Sequence, residues 1–242
     1  FNFESEIMQD QNIRKAIEMG IDKEGFCSVI MEGRGLPAKA AFPDSFSYGN
    51  EAVETVSYDP EGAKKLLEES GWKDTDGDGY ADKDGQKLTI DWLTYPTRLE
   101  QPKLAEYAQA TLKEIGIDVS VNNTSDHRTY AENGEFDVYV SSLTTAPTGD
   151  PEYFFSSTVT GSKNYGNYQN DEVTKLTEQL HQTFDTDERG KLAVELQQKI
   201  LDDDAYFFVS HLNMGLVSKS KCIRLTAHPC DYYEITADLE VK

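Results

Sequence analysis

Residues 58–85, YDPEGAKKLLEESGWKDTDGDGYADKDG, constrain the fold more than any other part of this 242-residue chain. The first half spells a capped helix. The Asp59 carboxylate can accept from the free N–H groups of a first turn, and Pro60 sits where a missing N–H costs nothing. Ala63, Leu66 and Leu67 form an apolar stripe at helical spacing, and Gly71 supplies a stop. A turn-rich acidic connector follows. Lys87 to Trp92 then alternates polar and apolar residues, the pattern of a strand with one face buried. Helix, tight connector and strand in that order are the repeating unit of an α/β fold.

The same alternation runs along the chain. Ile13, Ala16, Ile17 and Ile21 recur at helical spacing within 11–27, and Asp22 can cap a following turn. Residues 101–115 predict an amphipathic helix with Leu104, Ala108, Leu112 and Ile115 on one face, ended by Gly116. Strands are expected at 88–93, 117–121, 136–140 and 205–209. A short helical turn is expected at 130–135, and further helices at 152–157, 172–183 and 188–201. This order predicts an α/β fold with a mixed, mostly parallel sheet flanked by helices. Residues 213–242 depart from it. They read as strand and loop, carry the aromatic pair Tyr232-Tyr233, and hold no helix. The expected organisation is a lobe over 1–212 and a C-terminal tail over 213–242.

Composition narrows the function. With 44 Asp and Glu against 23 Lys and Arg, the formal charge is −21. That excludes a nucleic-acid binder, which needs Lys/Arg patches, and disfavours docking on anionic lipid. No window approaches the apolar length of a membrane span. Cys27, Cys222 and Cys230 are too few for a disulfide scaffold; Cys222 and Cys230 are near enough in sequence to pair, though free thiols are the simpler reading. The sequence holds no GxSxG, P-loop, Rossmann glycine set or HExxH, so no enzyme class is indicated. Asp74, Asp76, Asp78 and Gly79 match the opening positions of an EF-hand loop, with Asp82 at the ninth. The twelfth position is Gly85 rather than Glu, and a strand follows in place of an exiting helix. An acidic linker is therefore expected, with weak Ca²⁺ binding at Asp74, Asp76 and Asp78 left open.

Eight segments in order resemble one family, the extracellular solute-binding proteins of peptide- and nickel-type ABC importers. They are Ile13–Ile17 running to Gly20–Glu24, Gly33–Ala38, Tyr58–Pro60 running to Gly71-Trp72, and Gly116–Val119. Then come Gly134–Asp137, Asp150-Pro151 ahead of Tyr153–Phe155, Asp187 with Arg189, and Leu201–Tyr206. The resemblance implies a periplasmic-binding-protein-like lobe II whose tail returns to a lobe I outside this chain. It implies an extracytoplasmic, non-enzymatic carrier of the periplasm or Gram-positive cell surface that delivers its ligand to an ABC permease. Membrane contact would come only through a lipid anchor on a preceding part of the protein.

The ligand the resemblance implies is nickel or a nickel chelate. Peptide-binding relatives carry a Trp and an extra Asp ahead of the Asp-Pro motif, and residues 143–151 here have neither. The pair Ala146-Pro147 and the run from Val209 to Lys219 are similar to nickel-binding relatives. Where some of those place a loop histidine, this chain has Gly161-Ser162-Lys163. His228 in the returning tail is the candidate metal ligand, with His211 as alternative; Asp231 either orients His228 or is a turn residue. Tyr232 and Tyr233 either wall the ligand or anchor the tail. Thr145 and Thr148 offer hydroxyls from the cleft loop or cap a turn. Arg98 either binds a carboxylate or makes a surface ion pair. His127 and His181 are expected to be solvated or core-edge residues. A short-peptide carrier is the alternative function, and a secreted hydrolase the remote one.

Overall fold

Five helix starts fall where a short polar side chain takes the first free N–H groups. Asp10 accepts from Asn12 N at 2.9 Å and opens α1 (Gln11–Met19). Asp22 accepts from Gly25 N at 2.8 Å and opens α2 (Lys23–Gly25), which winds on into a π-type turn, Phe26–Ile30. Asp59 accepts from Gly62 N at 2.9 Å and opens α3 (Pro60–Glu69), with Pro60 in the first turn. Gly71 follows at φ 85°, a conformation open to glycine without a Cβ clash. The computed structural model describes residues 1–215, 217, 222–223 and 240–241.

The sheet that positions everything else is parallel. Ahead of it come β1 (Gly35–Pro37) and the small hairpin of β2 (Asp82–Lys83) and β3 (Gln86–Lys87). β4 (Thr89–Thr94) lies in the middle, between β5 (Asp118–Asn123) and β6 (Val138–Tyr139), and pairs parallel with both. α4 (Glu100–Glu114) crosses from β4 to β5, and α5 (His127–Glu132) joins β5 to β6. Ile90, Trp92, Leu93 and Thr94 are all buried. The expected alternation therefore stops at Trp92, because the end of a central parallel strand is covered on both faces. α1, α3 and α4 supply Ile13, Ile17, Leu67 and Leu112 to the core around Trp92.

A second core forms beyond α6 (Glu152–Phe154), which also runs into a π-type turn, Phe155–Val159. There α7 (Asp171–Gln182) and α8 (Thr186–Asp202) pack Leu180, Leu192 and Leu196 against Phe42, Phe154 and Phe155. Arg14, 5% exposed, ties α1 to the end of α8: it donates to the carbonyls of Asp204 at 3.0 Å, Asp203 at 2.8 Å and Met8 at 2.6 Å. The Asp203 and Asp204 carbonyls lie just past the end of α8, where intrahelical donors run out, and that of Met8 lies in the turn before α1.

Two expectations are corrected. The strand expected at 205–209 is β7 (Ser210–Leu212), because its antiparallel partner β1 decides the pairing, with Leu36 opposite His211. The helical turn expected at 130–135 starts earlier, at His127. Past β7, β8 (Cys222–Ile223) and β9 (Glu240–Val241) form an antiparallel pair. His228, Cys230, Asp231, Tyr232 and Tyr233 lie outside the described residues.

Candidate functional site: a cleft at the carboxyl ends of the sheet

Parallel strands in open α/β sheets present ligands at their carboxyl ends, where the βα connections leave a crevice. In this chain those ends carry Tyr95 and Arg98 after β4, His127 and Arg128 after β5, and Ser141 and Ser142 after β6. All of them line one cleft of about 790 Å³. Its opposite wall comes from the segment leading into β7 and from the loop after β1, which contribute Tyr206, Phe208, His211, Ala40 and Phe46.

The floor at the α5 end is stacked and hydrogen-bonded. The rings of Tyr95 and His127 lie 4.2 Å apart at 26°, and His127 Nδ1 is 2.6 Å from the Tyr139 hydroxyl. Tyr139 in turn meets Tyr165 edge-on at 5.9 Å. Burial, reinforced by the neighbouring Arg128, holds the His127 imidazole below its ordinary pKa, against the pull of Asp126. Burial also pushes the Tyr139 phenol up to about 12. Both rings are therefore neutral at pH 7. The Tyr95 hydroxyl accepts from Ser142 N at 3.1 Å, and the buried Gln101 amide sits between Thr94 Oγ1 at 3.2 Å and Ser142 Oγ at 2.9 Å. Glu100 accepts from the same Ser142 hydroxyl at 2.9 Å, which pins the loop after β6 to the start of α4.

The loop 143–151 is held from behind by one guanidinium. Arg189 donates to both carboxylate oxygens of Asp150, at 2.8 and 2.6 Å, and to Glu152 at 2.8 Å. It also takes the carbonyls of Leu180 and Thr183, both at 2.6 Å, at the end of α7. Asp150-Pro151 and Asp187/Arg189, separate motifs in the sequence, are thus two halves of one clamp. The Tyr48 hydroxyl adds a 2.8 Å bond to Gly149 O.

Of the residues singled out from sequence, Arg98, Thr145 and His211 line this cleft together. Thr148 is not among the residues lining it and is exposed in the turn before Gly149. His211 Nε2 lies 3.1 Å from Asn50 Oδ1, an oxygen that also accepts from Lys39 N at 2.9 Å. Burial drops its pKa to about 4, with Asp44 opposing, so the ring is neutral with Nε2 protonated toward Asn50. That nitrogen is spent, which leaves only Nδ1 for any metal. His181 is exposed and bonds Glu152 at 2.7 Å on the far side of the clamp. His127, read from sequence as solvated or core-edge, is a cleft residue; the available signal was its position just past the end of a parallel strand.

The acidic connector has the geometry of a turn. Asp74, Asp76 and Asp78 bring carboxylate oxygens within 4.8 Å of one another, all exposed. Each already accepts a backbone N–H: Asp74 from Gly77 at 2.7 Å, Asp76 from Asp78 at 3.0 Å, Asp78 from Tyr80 at 2.8 Å. Asp82, the ninth-position candidate, bonds Thr75 instead.

Residues 1–166 match the sequence profile described as bacterial extracellular solute-binding proteins, family 5, middle part. The chain belongs to this family. Among family members, the oligopeptide-binding protein AppA of Bacillus subtilis is 30% identical over 97% of this chain and 45% of its own length. The nickel-binding protein NikA of Staphylococcus aureus is 27% identical over 93% of this chain and 44% of its own. The solved structure of that NikA with Ni(L-His)2 superposes with a TM-score of 0.80 at 25% identity, covering 100% of this chain and 50% of that one. AppA in complex with a nonapeptide gives 0.78 at 26% identity, over 96% and 47%. The chain spans about half the length of the curated relatives it matches. These matches bear out the expected family and the α/β solute-binding architecture.

Proposed function

We propose that the chain builds one wall of the ligand cleft in the extracytoplasmic binding component of an ABC importer, with a small nickel chelate as cargo. The observation that carries this reading is the cleft itself. It gathers the carboxyl ends of three parallel strands and is walled by tyrosines, serines and Thr145. Such a wall fits capture and release by closure of a second lobe rather than chemistry on the ligand. In this reading residues 1–212 are lobe II, 213–242 return to lobe I, and a lipid anchor elsewhere in the protein holds it to the membrane. A chelate suits the cleft better than a bare ion. Nδ1 of His127 is bonded to Tyr139 and Nε2 of His211 to Asn50, so the protein has few free donors here. His228 would add the one imidazole, with Tyr232 or Tyr233 stacked beside it. A short peptide is the second reading, favoured by the 30% identity to AppA.

The test is metal analysis and native mass spectrometry of the full-length protein purified from cells. Nickel with a small chelator supports the first reading and a peptide mixture the second. A ligand-free protein that binds neither in titration overturns both. If nickel is found, His228→Ala should weaken its binding at least about tenfold. Unchanged affinity would remove His228 from the site.

A further inference from the structure

The buried face of α4 begins with a polar residue. Gln101, Leu104, Ala105, Ala108 and Leu112 recur at helical spacing and are all buried. The last four pack into the core around Trp92. Gln101, 4% exposed, sits where the stripe calls for an apolar side chain, and an amide buried there without partners would destabilise the fold. Its partners account for its place. The Thr94 hydroxyl donates to Gln101 Oε1 at 3.2 Å, Gln101 Nε2 donates to the Ser142 hydroxyl at 2.9 Å, and that hydroxyl donates to Glu100 Oε1 at 2.9 Å. Each hydroxyl donates once and the chain of bonds ends on a carboxylate, which polarises and strengthens the bonds before it. The end of β4, the first turn of α4 and the loop after β6 are joined by it.

Ser142 is where that loop leaves the sheet, and its N–H donates to the Tyr95 hydroxyl at 3.1 Å. At the far end the loop is held at Gly149 by Tyr48 and at Asp150 by Arg189. Residues 143–148 run between these two anchors, and Leu143, Thr144, Thr145 and Ala146 line the cleft. The near anchor therefore sets the path of a wall that cargo meets. Gln101 holds that anchor while both ends of its amide are bonded inside the protein.

We propose that Gln101 is a positioning residue of the cleft: acting through Ser142, it fixes the path of residues 143–148 before cargo arrives. The proposal rests on the carrier reading and deepens it by naming the residue that preorganises one wall. A loop already in place lowers the ordering cost of binding. Without the amide, Ser142 keeps its bonds to Glu100 and Tyr95, so the loop is loosened and the fold is kept. Gln101→Met isolates this effect. Methionine matches the length and helix propensity of glutamine and suits a buried face. The Thr94 hydroxyl then turns to Val140 O at 3.4 Å, so it is not stranded.

The test uses the full-length protein as wild type, Gln101→Met, Ser142→Ala, the double variant and Ala63→Gly, which weakens the core under α3 away from the cleft. Each is measured by amide hydrogen exchange and by calorimetric titration with the nickel–L-histidine complex and with trialanine. Exchange over residues 142–149 should quicken about threefold or more in Gln101→Met and in Ser142→Ala, and keep the wild-type rate over 192–201 in α8. For the probe that wild type binds, each of these two variants should lose about threefold to tenfold in affinity. The double variant should lose no more than the larger single loss, because both changes cut the same chain of bonds, and Ala63→Gly should lose nothing. Wild-type exchange over 142–149 in Gln101→Met would overturn the proposal alone. So would quickened exchange with unchanged affinity, additive losses in the double variant, or an equal loss in Ala63→Gly. A wild type that binds neither probe would overturn the carrier reading together with the cargo role of Gln101.

Discussion

What a side chain can do depends on which of its atoms its neighbours leave free. His211 has one ring nitrogen committed to Asn50 Oδ1 at 3.1 Å, and burial lowers its pKa to about 4. In the unfolded chain the same imidazole takes up a proton near its ordinary value of about 6.5. Between these limits the unfolded state holds more protons than the folded one. Stability is therefore unaffected by this group above about pH 6.5 and falls as the pH drops toward about 4. Urea unfolding at pH 7.5 and pH 5 should show a larger loss for wild type than for His211→Gln, whose amide can still donate to Asn50. A gap between the two proteins that is the same at both pH values would contradict this account. His127 teaches the complementary lesson. Its neighbours in sequence are polar, which suggested a solvated or core-edge ring; the half-buried ring has a stacking partner, Tyr95, and a hydrogen-bond partner, Tyr139, that belong to two other strand ends.

Between elements, the clamp on the cleft loop depends on Arg189. Its guanidinium, 14% exposed, joins Asp150 and Glu152 to the last carbonyls of α7 from a seat on α8. Arg189→Gln strands two carboxylates and two carbonyls, and should cost about 2–3 kcal/mol in urea unfolding. Arg189→Lys keeps the charge without the planar fork and should fall between Gln and wild type. A Gln variant within about 0.5 kcal/mol of wild type would show that the loop is held by other contacts, since surface changes that touch nothing stay within that range. Elements with local signals were legible beforehand: α3 from Asp59, Pro60 and Gly71, β4 from its alternation, α4 from its apolar face. β7 was displaced because Ala205–Val209 is the more apolar run, while pairing with β1 selected Ser210–Leu212.

The whole molecule carries −21 charges, which repel one another most in the compact state. The ion pairs that salt would weaken are mostly exposed, such as Arg34–Glu32 and Lys191–Glu188, and each is worth little. Screening of the repulsion should win. Raising NaCl from about 10 mM to about 0.3 M shortens the Debye length from about 30 Å to below 10 Å. The thermal midpoint should rise by about 2–4 °C for each kcal/mol of repulsion removed. A midpoint that is flat or falls with salt would mean that the specific ion pairs outweigh the net charge. The two apolar cores melt as one unit only if their shared contacts hold them together, and Phe3, which packs against both, is such a contact.

The sequence by itself determined the α/β class, most helix boundaries and the family, because caps, stops and periodicity act over a few residues and leave a local trace. Arg98, Thr145 and His211 were also named from it as ligand-side residues. Only the tertiary structure decided which side chains share a space. Asp150 and Arg189 stand 39 residues apart and meet in one bidentate pair. Tyr95, His127 and Tyr139 come from three strand ends that a parallel sheet must bring to the same edge. Thr145 lines the cleft and Thr148, three residues on and exposed in a turn, does not. Pairing across a sheet and burial between layers are set by contacts distant in sequence, and a local pattern carries no record of them.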